Sequence, residues 1–302
     1  LAVENDRSVR DYLLSAIGRL GSPNFFPVLG PLISDPQSVT ADRSGALIAM
    51  TGIAERHGDP SALQAMLPQL LADGQAQVRR QAIGSLRRLK LPETPTLLVQ
   101  RLRYEPEVVL QEELLRALTD QRYEGALEPL VAFEPSRVLR EEYGKALVVQ
   151  IGTDLASLDF TYRAMGIRFD REHAFLVVRK FPREGLSPED LVELDRKYAT
   201  AVSERLQWVG VENGNAGYAA DAVSRLKDLM EAEPQALKWP VYFVELQLMR
   251  GEIGPAIAVM TELAAREDLV AERKWELGLT ALRFAAANNM TEQGRALLIA
   301  LD

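Results

Sequence analysis

The chain contains no cysteine in 302 residues. Thiol nucleophiles, disulfides and cysteine-based zinc or iron–sulfur sites are therefore excluded. Histidine is nearly as scarce, with His57 and His173 the only two. A Ser-His-Asp arrangement would have to use one of them, and neither is accompanied by a Gly-x-Ser-x-Gly elbow. His57 stands in Glu55-Arg56-His57-Gly58-Asp59, which reads as a polar turn between two helices, and His173 stands among aromatic residues. Gly144-Lys145 lacks both the preceding glycine and the following Ser or Thr of a phosphate-binding loop, and no Gly-x-Gly-x-x-Gly or calcium-loop pattern occurs. Chemistry carried by carboxylates alone stays open, because 43 Asp and Glu residues offer many pairs. No cofactor and no metal is expected.

Two further features are missing. No apolar run approaches the roughly 18 residues needed to cross a bilayer, so direct membrane insertion is not expected. Nor is there a basic excess. Residues 1–152 hold 17 Lys and Arg against 19 Asp and Glu, a net of −2, and the remainder holds 18 against 24, a net of −6. Nucleic-acid binders carry cations to neutralise phosphates, so nucleic acid is not an expected partner. The local exception is a stripe of Arg79, Arg80, Arg87, Arg88 and Lys90 with Arg101 and Arg103 nearby, read here as a solvated helix face balanced by Glu105 and Glu107. Lack of cysteine suits cytoplasm and periplasm alike; cytoplasm is the expectation, and a periplasmic soluble domain the alternative. The chain opens at Leu1 without Met and is expected to be part of a longer protein.

What is present is repetition. Taking Val9 as an anchor, equivalent positions fall at Asp42, Val78, Leu110 and Leu139, separated by 33, 36, 32 and 29 residues. Four and five residues after the anchors come Leu13-Leu14, Ala46-Leu47, Ala82-Ile83, Leu114-Leu115 and Tyr143-Gly144. Seven and eight after them come Ala16-Ile17, Ala49-Met50, Ser85-Leu86, Ala117-Leu118 and Ala146-Leu147. Such spacing puts these side chains on one face of a helix. Short turns containing Gly, Pro or an acid lead to second helices carrying Leu29 and Leu32, Leu67 with Leu70 and Leu71, Leu98 and Leu102, and Leu127 and Leu130. One hairpin cannot bury both faces, whereas a stack of four or five makes a continuous core.

These residues resemble the HEAT-like (armadillo-type) repeats, over roughly residues 5–152. Arg10, Arg43, Arg79 and Arg140 match the family's arginine, and Gln111 departs from it. In the second half, Gly217 to Leu226 and Gly251 to Met260 each place a Gly five residues before an Ala, and Ala222 and Ala256 are 34 apart. That is the tetratricopeptide period, and Pro234 falls where such repeats end their second helix, though Asp268 replaces it in the next copy. A third hairpin, Ala271 to Ala287 and Thr291 to Leu301, fits loosely.

The expected fold is thus all-α, an α-solenoid in which helical hairpins build a right-handed superhelix. Its parts are a HEAT-like array at 1–152, an aromatic junction at 153–186 and tetratricopeptide-like repeats at 187–302. In the junction, Ala174-Phe175-Leu176-Val177-Val178 suits either a strand or a buried helix by composition; its helical neighbours favour helix, ended by Pro182.

The resemblance implies a scaffold that binds a protein or peptide on its concave faces. HEAT-like second helices line that face, and with Leu98 and Leu102 inward, Gln100, Arg103 and Tyr104 turn outward, with Gln69 and Glu128 in comparable places. Tetratricopeptide first helices would present Gln207 and Trp208, then Lys238, Tyr242 and Glu245. The di-iron hydroxylases of the HEAT type need His-Glu steps, which His57-Gly58 and His173-Ala174 do not supply. DNA-lesion glycosylases of that type need a basic groove. Bilin lyases, which also carry HEAT-like repeats, provide the alternative: an enzyme or enzyme accessory.

Overall fold

The computed structural model describes residues 6–211, 215–266, 268, 271–287 and 289–301. Among them every regular element is helical, so the all-α class expected from the sequence is the one that forms. The chain divides into two compact units, Leu1–Gly152 and Thr153–Asp302.

The first unit contains α1 (Arg7–Leu20), α2 (Phe26–Ser34), α3 (Thr40–His57), α4 (Ser61–Gln64), α5 (Leu67–Leu71), α6 (Ala76–Leu89), α7 (Thr94–Tyr104), α8 (Val108–Thr119), α9 (Leu127–Val131) and α10 (Arg140–Ile151). Helices α1, α3, α6, α8 and α10 pack in succession, each on the next, while α2, α5, α7 and α9 each pack on the long helix that follows them. Local chemistry sets the ends. The Asp6 carboxylate accepts from the N–H groups of Ser8 and Val9 at the start of α1, and Gly58 takes φ of 68° to stop α3. Pro68 lies in the first turn of α5, where its missing N–H costs little, and the second helix of that hairpin is split in two.

The paired positions form the core. Ala46, Leu47, Ala49, Met50, Ala82, Ile83, Leu86, Leu114, Leu115, Ala117, Leu118, Ala146 and Leu147 are all buried. The first copy departs from expectation: Leu14 is 2% exposed, but Val9 and Leu13 are 40% and 36% exposed. The reason is that α1 packs chiefly on α3, so one side of its apolar stripe has no neighbouring helix to cover it. On α2, Ile33 rather than Leu32 is buried beside Leu29.

The α1–α3 crossing is close because glycines line it. A Cβ added to Gly52 would stand 2.9 Å from the Gly18 carbonyl oxygen, inside contact distance of backbone that cannot move aside. Gly52→Ala is expected to cost about 1–3 kcal/mol in urea unfolding. Gly84, inside α6, faces open space, and Gly84→Ala should instead be neutral or add up to about 1 kcal/mol through helix propensity.

The repeat arginines tie successive hairpins together. Arg10 pairs with Asp42 at 3.1 Å. Arg43 donates from Nε to the Ile33 carbonyl at 2.9 Å and from its other nitrogens to the Asp73 carboxylate. Arg79 grips both oxygens of Glu105, at 2.9 and 2.8 Å, and donates to the Asp73 carbonyl at 2.9 Å. Gln111, which replaces the arginine in the next repeat, donates to the Glu105 carbonyl at 2.8 Å. Since the Glu105 side chain is fully buried, Glu105→Ala leaves a guanidinium stranded and is expected to cost about 3–5 kcal/mol. The exposed pair Arg116–Glu112 is a control; Glu112→Ala should cost less than about 1 kcal/mol in the same urea experiment.

The second unit holds α11 (Leu155–Ile167), α12 (Arg171–Lys180), α13 (Pro188–Val209), α14 (Ala216–Ala232), α15 (Lys238–Met249), α16 (Ile253–Ala265), α17 (Ala271–Ala287) and α18 (Thr291–Leu301). From α11 to α16 each helix packs on the next, as does α17 on α18, and further contacts join α13 to α15, α15 to α17 and α16 to α18. The Ala174–Val178 segment is helical, within α12, which ends at Lys180. Ala222 and Ala256 are fully buried, with Val244, Leu248, Met260, Leu263 and Ala281 completing a core around Ala256. Arginines cover the aromatic residues between α12, α13 and α14. The Arg179 guanidinium lies 4.3 Å from the Tyr218 ring, Arg205 4.9 Å from Phe175 and Arg225 3.8 Å from Tyr198.

Candidate partner-binding groove

An open groove of about 660 Å³ runs over α5, α7 and α9 in the first unit. Its floor and walls come from the second helices of three consecutive hairpins. Helix α5 and the residue after it contribute Pro68, Leu71 and Ala72; α7 contributes Thr96, Leu97, Val99, Gln100, Arg101, Arg103 and Tyr104; Gly125 and Pro129 close the far side. Helix α7 can do this because Leu98 and Leu102, one turn apart, are fully buried and fix its rotation. Gln100 and Arg103 are then exposed, and Tyr104 is 76% exposed.

Three of the five residues expected on this face, Gln100, Arg103 and Tyr104, therefore line one groove. Gln69 is exposed but lines a separate recess of about 100 Å³ with Arg43 and Asp73. Glu128 is exposed on α9, next to Pro129, and does not line the groove. The apolar lining, Leu71, Leu97 and Val99, was not anticipated. Its sequence signal is the proline near the start of each second helix, Pro68, Pro95 and Pro129, which marks where these helices begin and hence which residues share their outer face.

Most of the basic stripe is spoken for. Arg79 is buried and paired with Glu105 and Glu107, which corrects its assignment to a solvated face. Burial alone would raise the Glu105 carboxyl, but hydrogen bonds from Arg79, the Glu107 N–H and Arg101 outweigh it and hold the group below its ordinary range. Arg80 pairs with Glu113 at 2.9 Å, Arg87 with Asp120 at 2.7 Å, Arg88 with Glu55 and Arg101 with Glu105 at 2.8 Å. Among the described residues, no carboxylate lies within ion-pair distance of Arg103.

The second unit treats its expected contact residues differently. Lys238 is exposed, with Nζ 4.0 Å from the centre of the Trp239 ring, and Tyr242 is half-buried. Gln207 is exposed and donates from Nε2 to Glu245 at 2.8 Å. Glu245 itself is only 6% exposed, contrary to its assignment to an open face. Helix α15 contacts α13, α14, α16 and α17, which leaves little of its circumference free. The Trp208 side chain lies outside the described residues. Of the two histidines, His57 ends α3 on the surface, its Nε2 3.4 Å from the Gly21 carbonyl, and buried His173 has Nδ1 2.7 Å from Asp170. No group of three or more His, Asp and Glu residues capable of holding a metal ion occurs among the described residues, and no described helix is long and apolar enough to cross a membrane.

Burial pushes the Glu245 carboxyl up, and the Gln207 N–H offsets that only in part. The folded state then holds more protons than the unfolded chain between about pH 4.5, the ordinary value, and the raised one. Stability falls as pH rises through that window. Glu105 has the opposite sign: its contribution is present above the ordinary carboxylate range and is lost as pH falls through its lowered value. Glu245→Gln is accordingly expected to unfold at higher urea than the parent near neutral pH, with the difference vanishing below about pH 4.5; a constant difference across pH would show that the carboxyl is not the cause.

No protein-family model matches the chain, and no curated protein matches it significantly.

Proposed function

We propose that this chain is a non-catalytic interaction scaffold, an α-solenoid of HEAT-like hairpins in residues 1–152 and tetratricopeptide-like hairpins in residues 187–302. In this reading it binds a protein or peptide partner along the groove over α5, α7 and α9. The observation that carries it is the composition of that groove: an exposed tyrosine, an arginine with no carboxylate in ion-pair distance among the described residues, and an amide, set around Pro68, Ala72 and Leu97. Tyr and Arg are the residue types that most often dominate binding energy, and a concave apolar surface with a few polar groups suits an extended ligand. The successive packing of the long helices supports the solenoid reading, since each hairpin then contacts only its neighbours.

A photo-crosslinking residue introduced at Tyr104 in the full chain tests this. It should capture a partner from a native extract, and excess unmodified chain should compete the product away. Tyr104→Ala should weaken the captured partner's binding by about five- to thirtyfold, on the order of 1–2 kcal/mol, while leaving thermal unfolding unchanged because the side chain is exposed. Full affinity retained in Tyr104→Ala combined with Gln100→Ala would remove the groove from the interaction.

A further inference from the structure

Charge separates this groove from the rest of the molecule. The chain carries a net charge of −8, and the first unit alone is acidic by two. Yet the twelve residues lining the groove include two arginines and no carboxylate. Next to it, the charges nearly cancel: Arg79 and Arg101 share Glu105, and Glu107 completes the set. Arg103 lies outside that network. It is exposed on the last turn of α7, between Leu102, which is fully buried, and Tyr104, which is largely exposed.

A guanidinium so placed has five donors, with no carboxylate within ion-pair distance among the described residues, and it stands beside an apolar surface made by Pro68, Ala72 and Leu97. A planar fork holds a carboxylate or a phosphate by two parallel N–H···O bonds, and of the two the carboxylate is the one an unmodified peptide carries. Apolar side chains flanking that carboxylate would cover Pro68, Ala72 and Leu97.

We propose that the groove takes an extended peptide, with the carboxylate of an Asp or Glu within it held by Arg103 and the apolar side chains on either side of that acid lying on Ala72, Leu97 and Tyr104. The inference rests on the reading of the groove as a peptide-binding surface and narrows it to one ligand chemistry. The acid is internal because lining residues continue from Pro68 on one side to Pro129 on the other, so the peptide runs past Arg103.

The test is selection of a random-peptide display library on the full chain, on Arg103→Gln, and on Thr96→Trp, which places a bulky ring at an exposed position of the groove wall. Circular dichroism checks that all three are folded. The parent should enrich peptides with an acidic group flanked by apolar residues, Arg103→Gln should lose the acidic preference, and Thr96→Trp should lose the pool. Selected peptides are then synthesised with Glu or Gln at the acidic position and with free or amidated ends. The acid-bearing form should bind the parent about tenfold or more tightly than its neutral counterpart, with the advantage shrinking in high salt and absent in Arg103→Gln. An advantage carried by the chain-terminal carboxylate and lost on amidation would overturn the internal acid. Enrichment of peptides with no acidic preference, abolished by Thr96→Trp, would overturn the carboxylate and keep the peptide groove. A pool unchanged by Thr96→Trp, or no enrichment at all, would overturn both.

Discussion

The constraint on which the first unit depends is that none of its long helices can bury its apolar surface alone. Helix α3 has residues such as Ala46, Leu47, Ala49, Met50 and Ile53 buried around much of its circumference, against α1 on one side and α6 on the other. The same requirement passes from α6 to α8 and from α8 to α10. On α1, which packs chiefly on α3, Val9, Tyr12 and Leu20 are exposed. The second helices are shorter and less regular, since each needs only to cover the long helix that follows. Their remaining surface is what makes a groove possible.

Polar contacts then fix how one hairpin sits on the next. Hydrophobic burial is non-directional, so it tolerates sliding; a buried bidentate arginine does not. Arg43 and Arg79 reach from their own helices into the turns beside them, and the charges they bring inside are matched by Asp73 and Glu105. A stranded member of such a pair is far more costly than the pair is stabilising, so these contacts act by penalising misplacement. In the second unit a different device serves, with arginines laid on Tyr198, Tyr218 and Phe175.

How much of the candidate site was legible in the sequence depended on how much of each helix its neighbours enclose. On α7, two buried leucines fixed the rotation, and Gln100, Arg103 and Tyr104 could be placed outward from spacing alone. On α15, spacing gave the wrong surface for Glu245, because burial there comes from helices distant in sequence that close around it. The apolar wall of the groove was overlooked because only the residues facing the core, such as Leu71, Leu98 and Leu102, were placed, and half-buried Leu97 was not. Whether a leucine faces a neighbouring helix or a cleft between two of them is not a property of its own segment.

Periodicity and turn residues were enough to determine that this chain is helical and which small and large apolar residues of the first unit meet in the core. These follow from short-range rules: side chains three and four apart share a face, and Gly, Pro and Asp act on their own backbone. Tertiary structure alone decided that Arg79 lies buried, that Arg103 has no carboxylate in ion-pair distance among the described residues, and that α5, α7 and α9 leave a groove between them. Charge pairing and concavity depend on distances between residues tens of positions apart, and those distances exist only once the helices have packed.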